Sequence, residues 1–127
     1  MAEAKSPGRK AFDQFAGNDS EQILEMLKGL HPRVPDIITE NIFGPFYTST
    51  LLDAKTRELM AICALAAIGH APSQLGSHIG VALRIGVTPE EVIEAVLQSW
   101  VYGGTPAALN ALAVAREAID AHKAKQA

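Results

Sequence analysis

Apolar positions along this chain recur with the period of helices almost throughout. From Asp19 onward, Ile23, Leu24, Met26, Leu27 and Leu30 line one face at three- and four-residue steps, and Gly29 and Pro32 stop the run. Residues 35–43 carry Ile37, Ile38, Ile42 and Phe43 and predict a further short helix, ended by Gly44-Pro45. Phe46, Tyr47, Leu51 and Leu52 then form an aromatic and aliphatic bridge. The next segment differs, because no charged residue lies between Leu59 and Gly69. A helix that is apolar on every side is normally covered on every side, so these positions read as the centre of the fold. Asp53 is its expected N-cap, and Gly69 and Pro72 punctuate its end.

A second central helix is predicted from about Pro72, turning Leu75, Ile79 and Ala82 or Leu83 inward. The two form a central antiparallel hairpin. Thr88-Pro89-Glu90-Glu91 then supplies an N-cap, a proline at the first helical position and a capping-box glutamate, the strongest helix start in the chain. That helix runs through Val92, Val96 and Leu97 to Trp100 and closes at Gly103-Gly104. Thr105-Pro106 opens the last one, alanine-rich over 107–121, with Leu109, Leu112 and Ile119 at intervals. No segment alternates with the period of two that marks a strand, so the fold class is all-α. Residues 1–18 read as a mobile N-terminal arm, since 1–10 are polar and hold Ser6, Pro7 and Gly8 together, and 19–127 read as a single helical domain.

Composition adds an expectation of association. The chain has 127 residues, 48% of them hydrophobic and only 20% charged, a high apolar share for a small monomer. A homo-oligomer is expected. The net charge of -3 and the scattered Lys and Arg supply no basic field for phosphate backbones, which argues against nucleic acid. The longest apolar run falls short of the ~20 residues a membrane span requires. The N-terminal ten residues lack the apolar core of a secretory signal, and the single cysteine, Cys63, excludes an internal disulfide; a cytoplasmic location fits both.

Candidate chemistry rests on Glu58 and His78, two titratable side chains at the edges of the central apolar hairpin. A carboxylate and an imidazole placed there can exchange a proton with something lodged between them. Glu58 also has an ordinary reading as a first-turn partner of Lys55, and His78 as a core-edge histidine bonded to Ser77 or Gln74. A straight hairpin, at ~1.5 Å per residue, leaves the two roughly 7 Å out of register, so a water, a substrate atom or a steep helix crossing would have to close the gap. His31, His70 and His122 lie near loops or ends without the spacing of metal ligands, and no metal or other cofactor is expected. Cys63 reads as a buried, inert thiol. Tyr102, beside Gly103-Gly104, reads either as core or as a contact reaching a pocket.

Three runs in order, LLDAKTRELMAICALAAIG, QLGSHIGVAL and GVTPEEVIEAVLQSWVYGGTPAALNALAVAREA, strongly resemble the carboxymuconolactone decarboxylase family, whose helical superfamily also holds alkylhydroperoxidase D. The resemblance covers about residues 34–120. It implies an alkylhydroperoxidase D-like helical fold assembled as trimers or hexamers. It also implies that Glu58 and His78 fall where the peroxidase branch keeps the glutamate and histidine of its proton relay. The Cys-x-x-Cys of that branch would end four residues before the histidine, where this chain has Ala71 and Gln74. A disulfide-cycling peroxidase is therefore excluded.

The decarboxylase branch needs neither cysteine nor cofactor. By resemblance, His78 delivers the proton, Glu58 tunes it, Arg57 can hold a substrate carboxylate, and Gly80 stands where such enzymes tend to carry an arginine. Three readings follow. The first is a lyase using Glu58 and His78 on a small anionic molecule. The second is a peroxiredoxin-like reductase working through Cys63 and an external thiol. The third is a non-catalytic oligomeric binding protein.

Overall fold

A computed structural model describes residues 4–127, and among them every regular element is helical. By its contacts the chain divides into two compact units, Met1–Leu51 and Leu52–Ala127. This division differs from the boundary at residue 18 drawn from the sequence.

The first unit begins with helix α1, Pro7–Ala16, where the sequence suggests a mobile arm. The helix has a local cause. Ser6 is an N-cap whose hydroxyl accepts from the Arg9 backbone N–H at 3.0 Å, and Pro7 is preset for the first helical turn. The arm's first three residues lie outside the described residues. A short 3-10 turn, Gly17–Asp19, leads into α2, Ser20–Leu30. Of the predicted apolar face of α2, Leu24 is buried, while Met26 and Leu30 are exposed.

A short α3, Val34–Asp36, opens into a π-helical stretch, Ile37–Phe43, and then α4, Gly44–Tyr47. Gly44-Pro45 therefore does not end the helix. The wider turn, in which the Gly44 N–H bonds the Thr39 carbonyl, places Pro45 in the first turn of α4, where its missing N–H costs little. Helix α1 lies so close to this stretch that a β-carbon on Gly8 would stand 1.9 Å from the Thr39 oxygen. Phe12, Phe15, Phe43 and Tyr47 form the aromatic core, with Phe12 edge-on to Phe43 at 5.2 Å and Phe43 stacked on Tyr47 at 4.2 Å.

The second unit is a set of four longer helices: α5, Ala54–Ile68; α6, Pro72–Arg84; α7, Pro89–Gly103; and α8, Thr105–Gln126. Helix α5 packs against α6 and α7, and α8 closes the other side against the same two. The predicted caps are present. Asp53 accepts from Thr56 N–H at 2.8 Å, and that backbone bond holds its carboxyl below the usual range. Gly69 ends α5 with φ of 79°, a left-handed conformation that glycine adopts without strain. Thr88 and Glu91 form the complete capping box, at 3.1 and 2.9 Å.

Leu75, Ile79, Ala82 and Leu83 of α6 are buried as predicted, beside Ile62 and Ala66 of α5 and Val92 and Val96 of α7. In α8 the buried stripe is Ala108, Ala111, Ala115 and Ile119, whereas Leu109 is exposed. Small side chains face inward there because they let the helix come close. Gly103 shows the same economy at the end of α7: a β-carbon on it would stand 2.6 Å from the Ala67 oxygen, so α5 and α7 touch backbone to backbone. Thr105 does not cap α8 in the manner of Thr88; its hydroxyl accepts from the Trp100 indole N–H at 3.0 Å.

Candidate active site

The central hairpin brings Glu58 and His78 into direct contact. Glu58 stands in the first turns of α5, at the head of the buried stripe Glu58, Ile62 and Ala66. His78 stands in the middle of α6, one residue before the fully buried Ile79. Nδ1 of His78 lies 2.7 Å from Oε1 of Glu58, a hydrogen bond of the short, charge-assisted kind. No intervening atom is required, in contrast to the offset estimated from the sequence. That estimate set Pro72 level with Gly69, but the three residues that join the helices can span up to about 10 Å, enough to shift one helix along the other.

Burial of the pair is uneven. The Glu58 side chain is 3% exposed and that of His78 19%. A carboxylate so deeply enclosed is costly unless it is paired, and the imidazole supplies the pairing. With Nδ1 engaged by Glu58, proton exchange with a bound molecule has to run through Nε2. This arrangement, a nearly buried carboxylate orienting a partly exposed imidazole, is the working unit of general acid/base catalysis.

The other expected contacts fall differently. Arg57, adjacent to Glu58 and half-buried, directs its Nε to the Leu52 carbonyl at 3.2 Å. Tyr102 is not brought to the pair. It is 76% exposed and precedes Gly103, whose neighbour Ala67 lies nine residues, or about 13 Å, along α5 from Glu58. Tyr102 thus stands toward the other end of α5 from Glu58. Gly80 has no heavy atom within 4 Å of where its β-carbon would stand.

Cys63 is half-buried, not enclosed, which corrects its reading as a core thiol. It lines an open cleft of about 440 Å³ between α5 and α7, with Thr56, Leu59, Met60, Glu91, Glu94, Ala95 and Gln98. The sequence held a signal for this cleft. A helix without a polar face has apolar surface left over wherever its own chain does not cover it. Among the described residues no group of three or more His, Cys, Asp or Glu side chains is placed to hold a metal ion, and no helix is long and apolar enough to cross a membrane.

Comparison with known proteins agrees with this architecture. The model of the carboxymuconolactone decarboxylase family matches residues 32–117, more than half of the chain, and the chain belongs to that family. An uncharacterized 15.0 kDa protein from the nqo9-nqo10 intergenic region of Paracoccus denitrificans is 34% identical over 117 residues, 91% of this chain and 80% of the relative. Nitrosuccinic acid decarboxylase npaB of Metarhizium robertsii is 37% identical over 86 residues, which is 67% of this chain and 59% of that enzyme's length.

Proposed function

We propose that this protein is a cofactor-independent acid/base enzyme that decarboxylates, or carries out closely related chemistry on, a small organic anion. The observation that carries the reading is the 2.7 Å bond between the enclosed Glu58 carboxylate and His78. In the proposed step the bond between carbon and the leaving carboxylate breaks, carbon dioxide departs, and the electron pair passes into a neighbouring carbonyl or similar acceptor. His78 then gives the proton on Nε2 to the resulting carbanion carbon and regains one from solvent. Glu58 accepts the Nδ1 hydrogen bond throughout and so fixes the orientation of the ring. Arg57, next to Glu58 on α5, is the proposed holder of a second substrate carboxylate.

Family membership supports this reading, as does the name of the Metarhizium relative. Nitrosuccinic acid carries a nitro group besides its carboxylates, and a nitro group is another acceptor for the electron pair left by carbon dioxide. A thiol peroxidase is less well supported. Cys63 is five residues beyond Glu58, about 140° around α5, so the Glu58–His78 pair does not face it.

The test is carbon dioxide release from carboxylated lactones, β-keto acids and 2-nitrosuccinate by the purified chain. His78→Asn should lower turnover of an accepted substrate by about 10²–10⁴-fold with helical content unchanged. Undiminished turnover by that variant rejects the assignment. Cys63→Ser is expected to retain full activity.

A further inference from the structure

The open cleft of about 440 Å³ between α5 and α7 has no part in the chemistry proposed for Glu58 and His78. Glu58 precedes Met60 by two residues, about 160° around α5, so the pair faces away from it. The cleft's volume lies in the range of small-molecule pockets. Thr56, Met60 and Cys63 recur at i, i+4 and i+7 on α5, and Glu91, Glu94 and Gln98 at i, i+3 and i+7 on α7, so each helix turns one face to it.

Floor and rim differ in character. Leu59, Cys63 and Ala95 are half-buried and form an apolar floor, whereas Met60, Glu94 and Gln98 are exposed at the rim. Leu59 and Ala95 both pack against the main core, and the single methyl group of Ala95 leaves open the space that a larger side chain would take. One turn beyond Cys63, the approach of Gly103 to Ala67 brings the two helices into backbone contact and leaves no such space.

The charge of the lining is one-sided. It holds two carboxylates and, among the described residues, no cation. Glu91 is already engaged: its Oε1 accepts from the Thr88 backbone N–H at 2.9 Å, and that bond, with a smaller contribution from Lys55, holds its carboxyl below the usual range. Glu94, one turn along, is the acid left to answer a charge in the cleft. A neutral or anionic molecule seated on this floor would take water from the Glu94 carboxylate without replacing it, whereas an organic cation replaces it.

We propose that the cleft binds a small organic monocation, a primary ammonium carried on a short hydrocarbon body. The hydrocarbon lies on Leu59, Met60, Cys63 and Ala95. The ammonium donates to the Glu94 carboxylate and to the side-chain carbonyl of Gln98, which are one helical turn apart. Binding there does not require the Glu58–His78 chemistry, so either can hold without the other.

Cys63 reports occupancy, because it lines the cleft and is the chain's single thiol. In the full chain, the rate of its modification by an uncharged dipyridyl disulfide is followed while hexylammonium is titrated at neutral pH, with butylammonium, hexanol and hexanoate as comparisons. Hexylammonium should slow the reaction saturably, with a midpoint about tenfold below that of butylammonium, as burial of two further methylenes requires. Hexanol should have a midpoint about fivefold higher, the worth of an exposed ion pair, and hexanoate should not protect. Glu94→Gln should raise the hexylammonium midpoint about fivefold and leave that of hexanol unchanged. Ala95→Leu, which fills the floor, should abolish protection by both. Circular dichroism checks the fold of each variant, and Glu94→Gln, at an exposed position, carries the test if Ala95→Leu does not fold. The proposal is overturned by the absence of saturable protection, by equal protection from hexanoate, or by an unchanged hexylammonium midpoint in folded Glu94→Gln. It is equally overturned if Cys63 is already unreactive in the ligand-free chain at every chain concentration, since the cleft would then be closed or covered.

Discussion

Two carboxylates, one in each unit, show how partners decide what an acid can do. Asp13 in α1 receives hydrogen bonds from Lys5 at 2.7 Å, from Arg9 Nε at 2.9 Å and from the Ser20 hydroxyl. Arg9 in turn pairs with Glu21. Burial works to raise the Asp13 pKa, but the three donors outweigh it and hold the carboxyl well below the usual carboxylate range. Lysine and arginine keep their protons at neutral pH, so Asp13 has nothing with which to exchange one. Glu58 is more deeply enclosed, yet it is bonded to an imidazole, the side chain that gains and loses a proton near neutrality. The first arrangement locks an ion into a scaffold. The second joins an enclosed acid to the kind of side chain that the proposed chemistry requires.

The sharpest way to break this contrast is to neutralise both acids. Glu58→Gln is expected to reduce kcat for an accepted substrate by about 10²–10³-fold, while Asp13→Asn leaves kcat within twofold. Equal effects of the two substitutions would show that the acids do not differ in kind. Next in size is Gly8→Ala, which drives a β-carbon into the Thr39 carbonyl and should cost the first unit about 3 kcal/mol in chemical denaturation.

Asp13→Asn should itself cost about 2 kcal/mol, because it removes a charge to which three donors are directed. The sign with pH follows from the depressed carboxyl. Its stabilisation is complete above the ordinary aspartate pKa and is lost as pH falls through the lower folded value. Acid titration of stability should therefore be flatter in the variant than in wild type. Thr88→Ala, which dismantles the capping box, should cost about 1 kcal/mol and shift thermal unfolding by a few degrees.

What the sequence discloses follows the range of the forces involved. Asp53, Gly69, Thr88, Pro89 and Gly104 act within a turn of their own position, and the central helices begin and end where those residues place them. The buried face of α6 is legible for the same reason, since its periodicity belongs to one element. The Glu58–His78 contact is different: the residues and the hairpin are visible, but their register depends on the path of the residues joining α5 to α6. Helix α1 escapes notice because its inward apolar side chains, Phe12, Phe15 and Ala16 chief among them, are few, and its Ser6-Pro7 start looks like linker composition. In α8 the leucines draw attention, whereas close packing selects the alanines. The cleft beside Cys63 is a property of two helices brought together; the all-apolar α5 signals only that some of its surface is left to cover.

The short turn between α5 and α6 has a consequence for how such a protein diversifies. Acid and imidazole are twenty residues apart on consecutive helices, and one glycine-capped reversal sets their spacing. The contacting pair is thus contained in a single segment of about thirty residues. Substitutions elsewhere can change what surrounds the pair without altering the contact between its two side chains.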